Sequence, residues 1–337
     1  MDKRSQQIFS ENSTFILEQA ARRYGIAVSQ FRRLGSFESF VYEFERGGRD
    51  FVMKLTHSLH RTVDAIRGEL DWTNYLADGG VAVPRAIASE RGRLVEVVTL
   101  PDSFFAVYAF EKAGGRPARF EDWDDDFVRR WGRLLGQMHR LTRMYQPPDE
   151  AIRRHEWSDE ISRHVEKYVP VSQAAVIDKC HRLQERLRQL PQDVDSYGLI
   201  HSDLHHSNFF VDDGELIALD FDDCHYDWFA NDIAMPLFYA LRDSQVDADN
   251  KVFATGFMRH LLEGYRQENA IGGFWLEQIP VFLKLREMEL YIIIHAEDAH
   301  NLNGWCRRFM EDRRDRIEND VPIIDLDFTQ FADDAGH

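Results

Sequence analysis

The stretch that most constrains this chain is residues 197–223, YGLIHSDLHHSNFFVDDGELIALDFDD. Leu199-Ile200 and residues 209–211 are apolar flanks, Asp213-Gly214 is a strong two-residue turn signal, and ELIALDF reads as the return strand. The polar cluster HSDLHHSN therefore sits on a loop entering a β-hairpin, in a half of the chain that otherwise reads as helical.

Three readings of that loop compete. His201 and His205 stand at i, i+4 with His206 beside them, as a zinc set might. The loop starts at a strand end, however, and lacks the Glu that a helical zinc motif requires. A plain polar turn would explain the composition but not the order. The order His201, Asp203, Asn208 and then Asp220 matches the H-x-D-x-x-x-x-N plus D-F-x arrangement of phosphoryl transfer. In that chemistry one carboxylate meets the acceptor hydroxyl and the last two groups hold Mg²⁺. Asn208 follows Asp203 by five residues and Asp220 follows it by seventeen, both fitting a catalytic hairpin.

Composition narrows the partners. With 41 Lys+Arg against 58 Asp+Glu, the formal charge of −17 disfavours nucleic acid. Cys180, Cys224 and Cys306 are odd in number and far apart, which suggests neither a disulfide framework nor a cysteine zinc site and fits a reduced, cytoplasmic protein. The N-terminus has no signal-peptide core, and ELYIIIHAED is apolar over far fewer than the ~18 residues of a membrane span, so it reads as a buried helix segment.

Elsewhere, residues 13–24 place Phe15, Ile16, Gln19 and Ala20 at helical spacing and predict a short amphipathic helix. Residues 31–110 read mostly as strands, with Gly47-Gly48 as a hairpin turn. Residues 63–76 predict an intervening helix stopped at Gly79-Gly80. From about residue 114 the pattern is helical, opening with the acidic run 121–126 as a solvated helix start.

On these motifs the chain resembles the aminoglycoside phosphotransferase and choline kinase type enzymes, the small-molecule branch of the protein-kinase-like fold, over most of its length. The resemblance implies an α+β, two-lobed fold: an N-terminal lobe at 1–108 with an antiparallel sheet and a helix, a hinge at 109–113, and a larger, mostly helical lobe at 114–337. It implies ATP and Mg²⁺ as cofactors, with ATP between the lobes. Lys54 in FVMKLT corresponds to the strand lysine that pairs with the phosphates, and Glu69 to the helix acid that orients it. Alone, either would be an ordinary surface charge; their order ahead of the hairpin carries the assignment. Backbone amides near Ser36 to Ser39 would cover the phosphates, and Ala109 to Glu111 would read the adenine edge. Asp203 would be catalytic, Asn208 and Asp220 would hold the metal, and His201 and Asp232 would support the loop, while Met138-His139 matches a family helix.

The sequence departs from the pattern in three places. The phosphate loop has one glycine, Gly35, where protein kinases carry three. Asp222 replaces the small residue after D-F and could approach a second metal or cap a turn. Ser202 stands where the family has glycine, which a serine tolerates if its φ stays negative. The implied activity is transfer of the γ-phosphoryl group to a hydroxyl of an amino alcohol, a homoserine-like amino acid, a choline-like compound or an aminoglycoside. Acceptor-side candidates are Asp223, His225, Tyr226, Asp227, Trp228, Glu287, Tyr291 and Trp305. An acidic lobe with aromatics suits a cationic acceptor. A bacterial Ser/Thr protein kinase and a non-catalytic binding protein on the same scaffold remain alternatives.

Overall fold

The computed structural model describes residues 3–36, 39–243, 251–296 and 302–332, without the side chains of Ser36, Asp159, Glu160, Ser162 and Asp243. The first half runs α1 (Lys3–Tyr24), β1 (Arg32–Ser36), β2 (Phe40–Arg46), β3 (Arg49–His57), α2 (Val63–Asp78), β4 (Ala86–Ile87), β5 (Glu96–Thr99), β6 (Phe104–Glu111) and β7 (Arg116–Pro117). Then come α3 (Asp125–Thr142), α4 (Ser158–Tyr168), α5 (Ala174–Arg188), β8 (Tyr197–Ile200), β9 (Phe209–Asp212), β10 (Glu215–Ala218) and β11 (His225–Trp228). The chain ends with α6 (Phe229–Asp243), α7 (Lys251–Tyr265), α8 (Gly273–Ala296), α9 (Gly304–Met310) and α10 (Arg313–Glu318). It divides into two units: Met1–Pro117 with Tyr145–Arg154 and Phe210–Asp222, and Ala118–Met144 with His155–Phe209 and Asp223–His337.

In the first unit an antiparallel sheet runs β1-β2-β3-β6-β4, with β5 also on β6. Gly47 and Gly48, at φ 62° and 76°, make the left-handed turn that a two-residue hairpin between β2 and β3 needs. Alternation along β6 sends Phe105 and Val107 to one core and Ala106 and Tyr108 to another, so the sheet is covered on both faces. Ile66 and Leu70 of α2 fill the second core.

The first core corrects the sequence reading of the N-terminal helix. The helix starts at Lys3, ten residues before the expected 13, and buries Phe9, Ile16, Ala20 and Tyr24. Phe15, expected on that face, is 45% exposed. The early turns are polar in sequence, and their tie is tertiary: Phe9 stacks on Phe40 at 3.6 Å between ring centroids, and Ser5 Oγ lies 3.1 Å from His57 Nδ1. The hairpin β9–β10 forms at the expected turn, with Asp213 at φ 47° and Gly214 at φ 87°, and β7 pairs with β9.

In the second unit α3 begins within the acidic run. Asp124 caps it by accepting from the Phe127 amide at 2.7 Å, and Asp125 and Asp126 occupy the positive first turn. Its close partner is α7. A Cβ on Gly132 would fall 1.8 Å from the Leu261 carbonyl oxygen, and one on Gly264 would fall 1.9 Å from that of Arg129, so the two backbones meet where neither has a side chain. α8 is buried around most of its circumference, including the apolar stretch at 290–294 apart from Ile293. β11 pairs antiparallel with β8, His225 opposite Ile200. Among the described residues no helix is long and apolar enough to cross a membrane.

Candidate functional site

In the first unit β3 is the strand that positions Lys54, paired with Val41 on one side and Tyr108 on the other. Lys54 Nζ donates to Asp220 Oδ1 at 2.6 Å. Burial opposes its charge, but Asp220, Tyr108, Glu69 and Asp222 outweigh that and hold the ammonium well above its ordinary pKa. Glu69, on α2, is buried, and neither carboxylate oxygen has a hydrogen-bond partner among the described residues. Burial pushes its pKa up to about 8 against the pull of Lys54. The structure thus brings Lys54 to Asp220 directly, while Glu69 influences the lysine only through space.

Asp222 faces other groups. Its Oδ2 receives His60 Nε2 at 2.7 Å and lies 3.2 Å from Arg61, and its carbonyl oxygen accepts from Arg154 at 2.6 Å. Burial works against the Asp222 charge, yet His60, Arg61 and Lys54 hold it well below the usual carboxylate range. Ser39 spends its hydroxyl on Thr56 at 2.6 Å. Phe37, Glu38 and the Ser36 side chain, in the expected phosphate loop, lie outside the described residues. Ala109 pairs with Met53 and Ile87 across the sheet, and the Glu111 amide donates to the Arg85 carbonyl at 2.8 Å.

In the second unit the loop after β8 is braced from outside itself. The His201 and Ser202 amides donate to the two oxygens of Asp232, at 3.0 and 2.8 Å. Asp232 is fully buried in the first turn of α6 and also meets His139 Nε2 at 3.1 Å, whose Nδ1 lies 3.0 Å from the Tyr265 hydroxyl. Burial raises the Asp232 pKa, but His139 and His201 more than compensate, so it stays below its ordinary value. Ser202 adopts φ 72°, the left-handed region, and so does not meet the condition under which a serine sits there without strain. The bracing of its amide by Asp232 offsets that cost.

Asp203 follows, its amide donating to His201 Nδ1 at 3.3 Å. Its Oδ1 accepts from Arg286 Nη2 at 2.5 Å and from the Tyr239 hydroxyl at 3.2 Å, and Oδ2 lies 3.4 Å from His205 Nε2. Burial alone would raise its pKa; Arg286, His205 and His201 reverse that and keep it ionised. Asn208 Nδ2 donates to the Asp203 carbonyl at 2.8 Å, which fixes the amide so that its oxygen is the group left to face a cation. The Asn208 amide oxygen in this unit and the half-exposed Asp220 carboxylate in the other are each hard oxygen donors of the kind Mg²⁺ takes. Among the described residues no three His, Cys, Asp or Glu converge as a metal cage. Mg²⁺ needs none, because it keeps waters and takes substrate phosphates as ligands. The three loop histidines take different partners: His201 is buried, His205 meets Asp203, and the His206 ring sits 5.1 Å from Trp123 and 5.6 Å from His205.

A cleft in this unit is lined by Trp157, Ser202, Asp223, His225, Arg286 and Glu289, among others. Of the acceptor candidates, Asp223 and His225 line it. Asp227 is buried, holding Asn231 Nδ2 at 2.7 Å and His225 Nε2 at 3.3 Å; Trp228 is buried with its indole on the Pro191 carbonyl; and the Tyr291 hydroxyl goes to Gln173. His225 contacts acceptors through both ring nitrogens, the Asp223 carbonyl and Asp227, which lifts its pKa to about 9 against its burial. The residues that sequence reasoning missed are Arg286, Tyr239 and Glu289. The one available signal was KLREME, a run of charges inside an otherwise apolar helix, since buried charges must be paired.

Comparison with known proteins agrees with this geometry. The sequence model of the phosphotransferase enzyme family matches residues 30–270. The amicoumacin kinase of Bacillus subtilis (strain 168) is 38% identical over 330 residues, covering 96% of this chain and 97% of that protein. A solved amicoumacin kinase in complex with AMP-PNP, Ca²⁺ and Ami is 37% identical, with a TM-score of 0.92 over 98% of this chain and 100% of that one. A microcompartment-associated aminopropanol kinase shares the fold at 22% identity, with a TM-score of 0.72 over 91% of this chain and 98% of that one. The chain belongs to the phosphotransferase enzyme family, small-molecule kinases with a protein-kinase-like fold.

Proposed function

We propose that this protein is a cytoplasmic ATP-dependent kinase that phosphorylates a hydroxyl of an amine-bearing small molecule, with amicoumacin as the first candidate. The observation that carries the reading is Asp203: a largely buried carboxylate kept ionised by a guanidinium, on a loop whose amides are tied to Asp232. A group so placed can receive the hydroxyl of an acceptor, orient it and take its proton as the phosphoryl group departs. Lys54 would neutralise the α- and β-phosphates, with Glu69 as the second acid in its field. Asn208 and Asp220 would hold Mg²⁺, which supplies charge neutralisation on the transferring phosphoryl group. Amides up to Ser39 would face the phosphates, whereas the Ala109 backbone and the Glu111 amide are already engaged by neighbouring strands and the Arg85 carbonyl, which argues against their reading the adenine.

Amicoumacin enters through likeness to the kinases above, and an amine is supported by Asp223, an acidic residue lining the cleft. The protein-kinase alternative is not favoured. Only a turn and β11 separate Asp220 from α6, which leaves no room for an activation segment.

The test is ATP consumption with amicoumacin, 1-aminopropan-2-ol, homoserine, choline, aminoglycosides and a Ser/Thr peptide. Turnover of amicoumacin well above the others is expected. Activity confined to the peptide, or to anionic and uncharged alcohols, overturns the proposal.

A further inference from the structure

α8 is apolar over most of its surface, yet it carries Arg286 and Glu289 one turn apart in the cleft beside Asp203. Arg286 Nη2 donates to Asp203 Oδ1 at 2.5 Å and to the Tyr239 hydroxyl at 2.6 Å, while Nη1 donates to Glu289 Oε2 at 3.3 Å. Tyr239 itself donates to the same Oδ1 at 3.2 Å, and the guanidinium lies over its ring at 5.4 Å. One oxygen of Asp203 is thus held from two directions by donors on two helices. The other has only the longer approach of His205 Nε2 at 3.4 Å.

A carboxylate anchored this way cannot turn about its Cβ–Cγ bond without breaking both anchors, and an acceptor hydroxyl meets a defined oxygen. Pairing Arg286 with Glu289 alone would satisfy the requirement that a buried charge be compensated; the shared grip on Oδ1 goes beyond that. The Arg286 Nε is buried without a partner among the described residues, so the guanidinium is set by these contacts and not by its full complement of acceptors.

We propose that Arg286 and Tyr239 are positioning residues that fix Asp203 by Oδ1 and present Oδ2 to the acceptor hydroxyl, with Glu289 holding the guanidinium in that pose. The inference rests on the reading of Asp203 as the carboxylate that receives the hydroxyl. Arg286 acts through Asp203 and transfers nothing itself.

The test uses the full chain and the best acceptor of the panel above, measuring kcat, both KM values and melting temperature for Arg286→Met, Arg286→Ala, Arg286→Lys, Tyr239→Phe and Asp203→Asn. Arg286→Met is expected to lower kcat about 10²-fold, the scale set by misplacing a reacting group by an ångström, with KM for ATP unchanged. Arg286→Lys, keeping the charge but not the fork, should recover about tenfold of that loss. Tyr239→Phe should cost about tenfold in kcat, the scale of one lost hydrogen bond. Guanidinium ion should restore part of the kcat of Arg286→Ala, which a packing role would not allow.

An Arg286→Met enzyme within twofold of wild-type kcat overturns the proposal. So does a loss that appears as raised KM for ATP without rescue by lysine or guanidinium. Should Arg286→Met fail to fold, Tyr239→Phe decides alone, wild-type kcat counting against. An active Asp203→Asn enzyme would instead remove the underlying reading, whereas an inactive one beside active Arg286 variants removes only this inference.

Discussion

Two buried acids, one in each unit, respond to burial in opposite ways. Glu69 has no hydrogen-bond partner among the described residues, and burial drives its pKa up to about 8. Asp203 is 20% exposed and receives a guanidinium and a phenol, and it stays charged. Asp232, as buried as Glu69 but hydrogen-bonded by His139 and two amides, also stays below its ordinary value. The partner rather than the depth therefore decides ionisation: desolvation of a carboxylate is offset by a charge or donor in contact. Lys54 lies in the field of Glu69, yet its own hydrogen bond is with Asp220.

The largest expected effect probes the ionised acid. Asp203→Asn should lower kcat by roughly 10²–10⁴-fold, the range of a positioned acid–base group, with nucleotide-induced thermal stabilisation retained. If Glu69→Gln lost as much, the contrast between the two acids would break. Next comes the partner principle in a pair away from the cleft: Arg313 Nη1 donates to Glu287 Oε1 at 2.5 Å, both fully buried. Arg313→Met should cost about 3 kcal/mol in urea unfolding, the lower end for breaking a buried pair, because Lys284 still reaches Glu287. A cost below about 1 kcal/mol, within the range of exposed ion pairs, would show that partners matter less than depth.

The unpartnered acid gives a smaller, signed effect. An acid whose folded pKa exceeds its unfolded value binds its proton more tightly when native. Glu69 therefore contributes stability that is present near pH 4.5 and lost as pH rises through about 8. Melting temperature measured across that window should fall less steeply in Glu69→Gln than in the wild type; identical slopes would mean that Glu69 titrates as it does in water. The smallest effect contrasts backbone strain. Ser202→Gly should raise stability by about 0.5–1 kcal/mol in urea unfolding, left-handed relief less the extra unfolded-state freedom of glycine. A loss of stability would mean that the buried serine contributes more than its backbone costs.

How much of this was legible in sequence followed from how local each feature is. The hairpin β9–β10 announced itself through Asp213-Gly214, and Asp203, Asn208 and Asp220 through fixed spacing around it. The pairing of Lys54 with Asp220 spans 166 residues and became readable only by family resemblance. Arg286 reaches Asp203 across 83 residues and no turn or period encodes that contact. The early turns of α1 were missed because their sequence is polar, and Phe15 was misplaced because one phenylalanine at helical spacing cannot say which face the sheet will cover. Ser202 showed that a residue can hold a glycine conformation when an acid outside the loop supplies the hydrogen bond.

That acid also sets an order of events. Asp232 lies about thirty residues beyond the amides it holds, and its other partner, His139, was made 93 residues earlier. During synthesis the loop emerges before its brace, with His139 already waiting in α3. A nascent chain cut between Asn208 and α6 would carry every residue of the HSDLHHSN loop and still lack the shape that gives Asp203 its use.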